Sequence, residues 1–318
     1  MKNKRLRTLL IGLASGVAYA FLAMLLVQSV HKGVSITYIF ILPILLGAIP
    51  VLLSTKEQLE SYKSYILFPW AIVFTFFILA WASGYEGMIC LVIIFAPFLL
   101  LGSLGAFIFR LIKLKRQGNG TKLYLSLFLP LMALLVESNF QAKDQIHTVS
   151  TSIEIQASKQ NIWNNVKNVR NIKSNEIEPH FVHLIGIPKP LNGEIDKESI
   201  GGIRQITWEK GIRFQEKITN WQPTDGFTYN INVDPSSIPR GTLDEHVMIG
   251  GKYFDVLQGS YRIDQKHSNT CKVTLTCTYR ITTNLNRYSK WWADFILDDF
   301  NQMILEVIKK RSENPTDR

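Results

Sequence analysis

Apolar residues run almost unbroken in long stretches through the first 140 positions, and from His147 onward they alternate with polar ones or return every three to four residues. That change of period marks a change of architecture. Leu9 to Val30, Val34 to Leu53, Tyr65 to Tyr85 and Met88 to Ile112 each approach or exceed the ~20 residues a helix needs to cross a bilayer. Leu123 to Phe140 is a shorter fifth candidate. A basic start and Ala18-Tyr19-Ala20 also suit a cleaved signal peptide, but the apolar run continues from Phe21 through Val27. The first segment therefore reads as an uncleaved anchor.

Beyond Asn139 the pattern is that of a mixed domain. Val149 to Ile155 reads as a strand, and Ser158 caps a short helix carrying Ile162, Trp163 and Val166. A second helical stretch, broken by Pro179, reaches Ile185, and Pro188, Pro190 and Gly193 mark a turn region. Strands follow at Ile203 to Trp208, Ile212 to Trp221, Phe227 to Val233, Tyr253 to Asp264 and Cys271 to Thr282. Short connections at Lys210-Gly211 and Thr224-Asp225-Gly226 suit hairpins, so the strands form an antiparallel meander. Tyr288 to Arg311 reads as one long helix with Ser289 as N-cap. Its apolar stripe of Trp292, Phe295, Ile296, Phe300, Met303, Ile304, Val307 and Ile308 needs a sheet to cover it. Asp299 falls inside that stripe, where a carboxylate requires a partner or water.

Charge sharpens this division. The chain has 318 residues and a formal net charge of +10, which could suggest nucleic-acid binding until the charge is located. Thirteen Lys and Arg stand against five Asp and Glu up to Asp144, leaving 22 against 20 after it. The basicity flanks apolar runs, which is the signature of membrane orientation and excludes a phosphate-binding face. Lys2, Lys4, Arg5 and Arg7, then Lys56 and Lys63, then Arg110, Lys113, Lys115, Arg116 and Lys122 occupy alternate loops, which reads them as cytoplasmic. Five crossings put His147 onward outside; a fifth segment lying in the interface would leave it cytoplasmic. The spans carry almost no ionisable group at depth, so they read as an anchor rather than a conduction path. Cys271 and Cys277 stand six apart on one strand, too far to bridge, so no disulfide framework is expected.

Ile155-Gln156-Ala157-Ser158 leading into Ile162-Trp163, followed by the strand series and the long helix, resembles the START-like or SRPBCC superfamily of polyketide cyclases, dehydrases and lipid-transport domains. Gly201-Gly202-Ile203-Arg204, Phe214 through Trp221, and His246 through Tyr261-Arg262 resemble a membrane-anchored bacterial branch of it. The resemblance implies an α+β helix-grip fold, a curved antiparallel sheet around the C-terminal helix with a hydrophobic cavity between them. The expected organisation is a transmembrane helical bundle of four or five helices over 1–140, a helix-grip domain over 147–312 and a disordered tail over 313–318.

Polar groups on apolar strand faces are the candidate chemistry. By period two, Glu216 points inward with Ile212, Phe214 and Ile218, Arg204 with Ile206 and Trp208, and Asp255 with Tyr253, Leu257 and Tyr261. Together with Asp299 they line a pocket, supply an acid or base raised by burial, or form internal ion pairs, and bulges near Gly250-Gly251 and Gly259 could turn a face over. Trp208, Phe214, Tyr229, Tyr261 and Trp292 supply the expected walls. His246 lies in the loop from Asp234 to Gly251, a possible gate. His180 and His183 follow Glu176 and Glu178 but are interrupted by Pro179, so no metal or cofactor is expected. No nucleophile motif is present. The reading is an integral protein of a bacterial inner or plasma membrane, whose extracytoplasmic C-terminal domain binds or transfers a lipid or other hydrophobic small molecule. Two alternatives stand beside it: a cyclase- or hydratase-type enzyme on an apolar substrate, and a non-catalytic structural or signalling module.

Overall fold

The apolar runs fold as helices: α1 over Lys2–Leu26, α2 over Leu42–Leu53, α3 over Tyr62–Ala82, α4 over Met88–Lys115 and α5 over Leu129–Glu137. The computed structural model describes residues 2–31, 35–60, 62–115, 128–137, 139–140, 142–239 and 241–314, in two compact units, Met1–Lys143 and Asp144–Arg318. Arg116, Lys122, His31's neighbours Lys32 and Gly33, and the start of the fifth apolar segment lie outside the described residues. By length and composition Leu6–Ser29 and Met88–Lys115 are long and apolar enough to cross a membrane, whereas Thr37–Leu53 and Leu67–Ala82 are shorter apolar helices. Large apolar side chains point outward, among them Leu100 at 70% exposure and Ile78 at 62%.

Within this unit α2 and α4 meet backbone to backbone. A Cβ at Gly47 would overlap the Gly102 carbonyl, and one at Gly105 the Ile44 carbonyl. Small residues at a helix crossing allow such an approach. The two ends of α2 are also tied. At its approach, the Glu137 carboxylate accepts from Ser35 Oγ at 2.8 Å, Ile36 N at 2.6 Å and Thr37 N at 3.0 Å. At its exit, Lys113 Nζ donates to the carbonyls of Val51, Leu52 and Ser54 at 2.9, 2.6 and 2.6 Å. An acid at the amino end and a base at the carboxyl end satisfy the orphan backbone groups and suit the helix dipole. Glu137 is only 8% exposed, so the apolar pattern hid one buried ionisable group.

In the second unit, β1 covers Asp144–Ile155, α6 Lys159–Lys167, α7 Phe181–Leu184, β2 Pro190–Ile195, β3 Ile203–Trp208, β4 Arg213–Gln222, β5 Gly226–Asn232, β6 Phe254–His267, β7 Thr270–Thr282 and α8 Asn286–Glu313. The strands form one antiparallel sheet in the order β1-β7-β6-β5-β4-β3-β2. This is the helix-grip arrangement, with α8 against β1 and β7. β7 shows why: Cys271, Val273, Leu275, Cys277, Tyr279 and Ile281 are all buried and the residues between them are not. Ser158 caps α6 by accepting from Asn161 N.

Four details correct the sequence reading. The expected turn at Pro188 to Gly193 is in fact β2, an edge strand, where proline and glycine do least harm to a ladder. The long helix starts at Asn286 rather than after Ser289, whose hydroxyl instead meets Thr283 Oγ1 at 3.1 Å. The buried face of α8 is Leu297, Asn301, Met303, Ile304, Leu305, Val307, Ile308 and Ser312, while Phe295 is 44% exposed. The expected stripe holds only from Met303 onward, where the sheet covers the helix. Of the expected tail, Glu313 belongs to α8 and residues 315–318 lie outside the described ones.

The β5–β6 loop, α7 and the start of α8 share one end of this unit. Asp144 pairs with Thr282, Phe254 with Ile281, Gln215 with Asn232 and Pro190 with Trp208. All of these positions lie at the end of the sheet where β1 begins. The β2–β3 turn, with Ile200, lies at the opposite end.

Candidate functional site

Adjacent strands each send one polar side chain into the interior. Register sets Arg204 of β3 directly opposite Glu216 of β4, and Arg204 Nη1 donates to Glu216 Oε2 at 2.9 Å. Both are buried, at 4% and 6% exposure. The next contributions are Tyr229 of β5, Tyr261 of β6, Cys277 of β7 and Asn301 of α8, all buried. Gly259 pairs with both Tyr229 and Cys277, and a Cβ there would overlap the Tyr229 ring. The glycine therefore lets that ring lie flat across the strand. Gly193 does the same for the guanidinium, since a Cβ there would meet Arg204 Nη2 at 3.0 Å.

Aromatic rings enclose this polar row. The Arg204 guanidinium carbon lies 5.8 Å from the Phe227 ring centroid and 5.9 Å from that of Tyr261, within cation–π range. Tyr229 and Tyr261 stack at 6.2 Å. Trp163 of α6 packs on Trp221 and Phe227 at 4.8 and 6.0 Å. Trp208 contacts Phe214 at 5.4 Å and Phe300 of α8 at 5.1 Å.

Burial dominates the electrostatics. It pushes the Glu216 carboxyl up, against the pull of Arg204. It would lower Arg204, but the Glu216 charge outweighs it and keeps the guanidinium charged. Burial raises the Tyr229 and Tyr261 hydroxyls, helped in both cases by Glu216. Cys277 is pushed up to about 12 by burial, and its thiol donates to Asn301 Oδ1 at 3.3 Å. At neutral pH it is a thiol and no nucleophile. Two donors remain over. Arg204 Nε and Asn301 Nδ2 are buried and have no hydrogen-bond partner among the described residues.

The other sequence candidates lie elsewhere in the unit. A register shift between Val256 and Gln258 reverses the alternation along β6, so Asp255 does not share the face of Tyr261. Asp255 accepts from Gly250 N at 2.7 Å, while Arg280, its register partner, donates to the carbonyls of Gly251 and Lys252 at 2.7 and 3.0 Å. Burial raises the Asp255 carboxyl, with Gly250 and Arg280 opposing. The pair thus anchors the end of the loop that carries His246, whose ring stacks on Tyr253 at 5.0 Å.

Asp299 serves α7. It accepts from Val182 N at 2.9 Å and faces His180 Nδ1 at 3.0 Å, while Glu306 faces His180 Nε2 at 3.1 Å. Burial disfavours the imidazolium, but the two carboxylates outweigh it and raise His180 above its usual range. His183 is instead lowered, mainly by burial, and its Nδ1 donates to the Ile187 carbonyl at 2.9 Å. Trp292 joins a separate aromatic group at the start of α8, 6.4 Å from Phe181. Sequence reasoning missed Cys277 and Asn301. The signal for Asn301 was its place midway between Leu297 and Leu305 on one helix line.

No protein-family profile matches the chain, and no curated protein does. Among solved structures it is similar to truncated norcoclaurine synthase from Thalictrum flavum, at 15% identity over 54% of this chain and 96% of that one, with a TM-score of 0.33. An uncharacterised protein from Bacillus thuringiensis aligns at 14% identity over 51% of this chain and 96% of that one, TM-score 0.31. The Aha1 dimer from Colwellia psychrerythraea aligns at 14% identity over 54% and 98%, TM-score 0.31. Likenesses at this level carry nothing about chemistry.

Proposed function

We propose that the chain is a membrane-anchored member of the START-like superfamily whose second unit binds an apolar small molecule or lipid bearing a hydrogen-bond acceptor. The observation that carries this is two unpartnered buried donors, Arg204 Nε beside the Phe227 and Tyr261 rings and Asn301 Nδ2 of the side chain that meets Cys277. A buried donor left unmade costs about 1–3 kcal/mol. A carbonyl, ester or hydroxyl oxygen held between sheet and α8 recovers that cost. Because Glu216 already neutralises Arg204, the row suits a neutral acceptor rather than a phosphate. The β5–β6 loop, with His246, serves as the gate, its far end held by Asp255 and Arg280.

The test uses the full chain in vesicles doped with a diazirine-bearing fatty acid or diacylglycerol. Illumination is expected to mark peptides from β3 to β6 and from α8 around Asn301, and Asn301→Leu is expected to reduce that labelling about tenfold, the equivalent of one lost hydrogen bond. Adducts confined to the helices of the first unit would remove the reading.

The anchor reading draws on the two long apolar helices and on the basic residues Arg110, Lys113 and Lys115 at the end of α4. With that end cytoplasmic, the start of the α2 segment faces outward. The tie from Glu137 to Ser35, Ile36 and Thr37 supports an α5 that ends on the same outer side, so that the second unit is extracytoplasmic. In a Cys90→Ser background, a cysteine introduced by Ile200→Cys is expected to react with a membrane-impermeant maleimide in intact cells. Reaction only after lysis would reverse the orientation.

A further inference from the structure

The first turns of α8 turn aromatic side chains outward. Trp291 is 60% exposed and Phe295, one turn on, is 44% exposed. Their rings stack at 6.3 Å with 10° between planes, Trp292 adjoins Trp291 at 4.9 Å, and Phe181 of α7 meets Phe295 edge-on at 5.2 Å. Leu184, three residues past Phe181 and so on the same side of that turn, is 76% exposed. Basic residues adjoin the rings: Arg287 lies one turn before Trp291 and is exposed, and Lys290 pairs with Asp294. Contiguous exposed apolar side chains of this size mark an interaction surface.

Position in the fold selects the occupant. Asp144, the first residue of β1, pairs with Thr282, whose Oγ1 donates to its carboxylate at 2.7 Å, and α8 starts four residues after Thr282. Tyr279 OH, on the partner strand of His147, donates to Asp294 Oδ1 at 2.6 Å between Trp291 and Phe295. The aromatic face is therefore at the end of the sheet where the chain arrives from the apolar helices. In the chain, only residues 138–143 separate α5 from β1. Tryptophan beside arginine and lysine is also the composition of segments that sit at the bilayer–water boundary.

We propose that the Trp291–Phe295 face of α8, together with Leu184 of α7, seats in the interfacial layer of the bilayer that holds the apolar helices. This rests on the membrane reading above. It would bring the gate loop, which shares that end of the sheet, to the lipid surface, so that an apolar ligand need not cross water.

The full chain is reconstituted in phosphatidylcholine–phosphatidylglycerol vesicles with an environment-sensitive fluorophore on single cysteines, in a Cys90→Ser background. The sites are Trp291→Cys, Leu100→Cys on the outward side of α4, and Ile200→Cys at the opposite end of the sheet. Doxyl-labelled lipid is expected to quench the labels at 291 and 100 severalfold more than the label at 200, and aqueous iodide to quench only the last. A label at 291 that iodide quenches as it does at 200, while 100 stays lipid-quenched, overturns the docking and leaves the membrane reading standing. A label at 291 shielded from both quenchers means protein covers the face and also overturns it. Failure of lipid quenching at 100 brings down the membrane reading and the docking together. Phe295→Cys supplies a second position should Trp291→Cys fail to fold.

Discussion

Glu216→Ala is expected to cost the second unit about 3–5 kcal/mol, because it strands the Arg204 charge in a dry interior. The pair is 4% and 6% exposed and held by one 2.9 Å hydrogen bond, with the Phe227 and Tyr261 rings beside the guanidinium. Coulomb attraction there offsets a desolvation penalty of similar size, so the intact pair is close to neutral for stability while either half alone is not. The double variant Arg204→Met with Glu216→Leu is therefore expected to unfold near the parent or above it, a coupling of several kcal/mol between two single losses. Both cysteines of β7 are buried, so the urea concentration at which Cys271 and Cys277 become reactive in a Cys90→Ser background reads the opening of this unit directly. Equal, additive losses in the two single variants and the double would mean that the charges do not interact. The same double variant removes the Arg204 donor, so on the proposed function it folds yet takes up less photoreactive ligand. Stability and binding then part company, which is the mark of a polar group retained for recognition.

What could be read from the sequence follows from how far each side chain's environment is set by its own neighbours in the chain. Arg204 and Glu216 were legible because β3 and the first half of β4 pair without a register shift and are joined by a tight hairpin; parity alone pointed both inward and register set them opposite each other. Asp255 was not, because the extra residue between Val256 and Gln258 shifts every later side chain of β6 to the other face, and no local residue announces it. β2 hid behind two of the residues that usually end strands, and an edge position tolerates both. Asp299 falls inside the apolar stripe of the sequence, yet it faces α7 rather than the sheet. That the partner is His180, the residue just before a helix of four residues over a hundred positions earlier, is a matter of tertiary packing alone. Glu137 looked like the polar boundary of an apolar segment, and only the folded unit reveals that it caps the approach to α2.

Gly47→Val is expected to separate α2 from α4 and to cost the first unit about 3 kcal/mol or more. The Cβ would fall on the Gly102 carbonyl and close to the Ala106 amide at 2.8 Å, and both are backbone, so no rotamer relieves the overlap. Gly47→Ala is expected to do part of the same damage, since the first carbon already collides. Gly12→Ala is the control: its Cβ would meet Pro50 at 3.5 and 3.6 Å, ordinary contact distances. The consequence reaches the ends of α2. Lys113 on α4 reaches the Val51, Leu52 and Ser54 carbonyls only while the two helices touch, so moving them apart also leaves the last turn of α2 without its donors. Thermal aggregation of the detergent-solubilised chain should therefore fall in temperature steeply for Gly47→Val, less for Gly47→Ala and not at all for Gly12→Ala. A Gly47→Val protein as heat-stable as the parent would mean that α2 and α4 do not meet through their glycines.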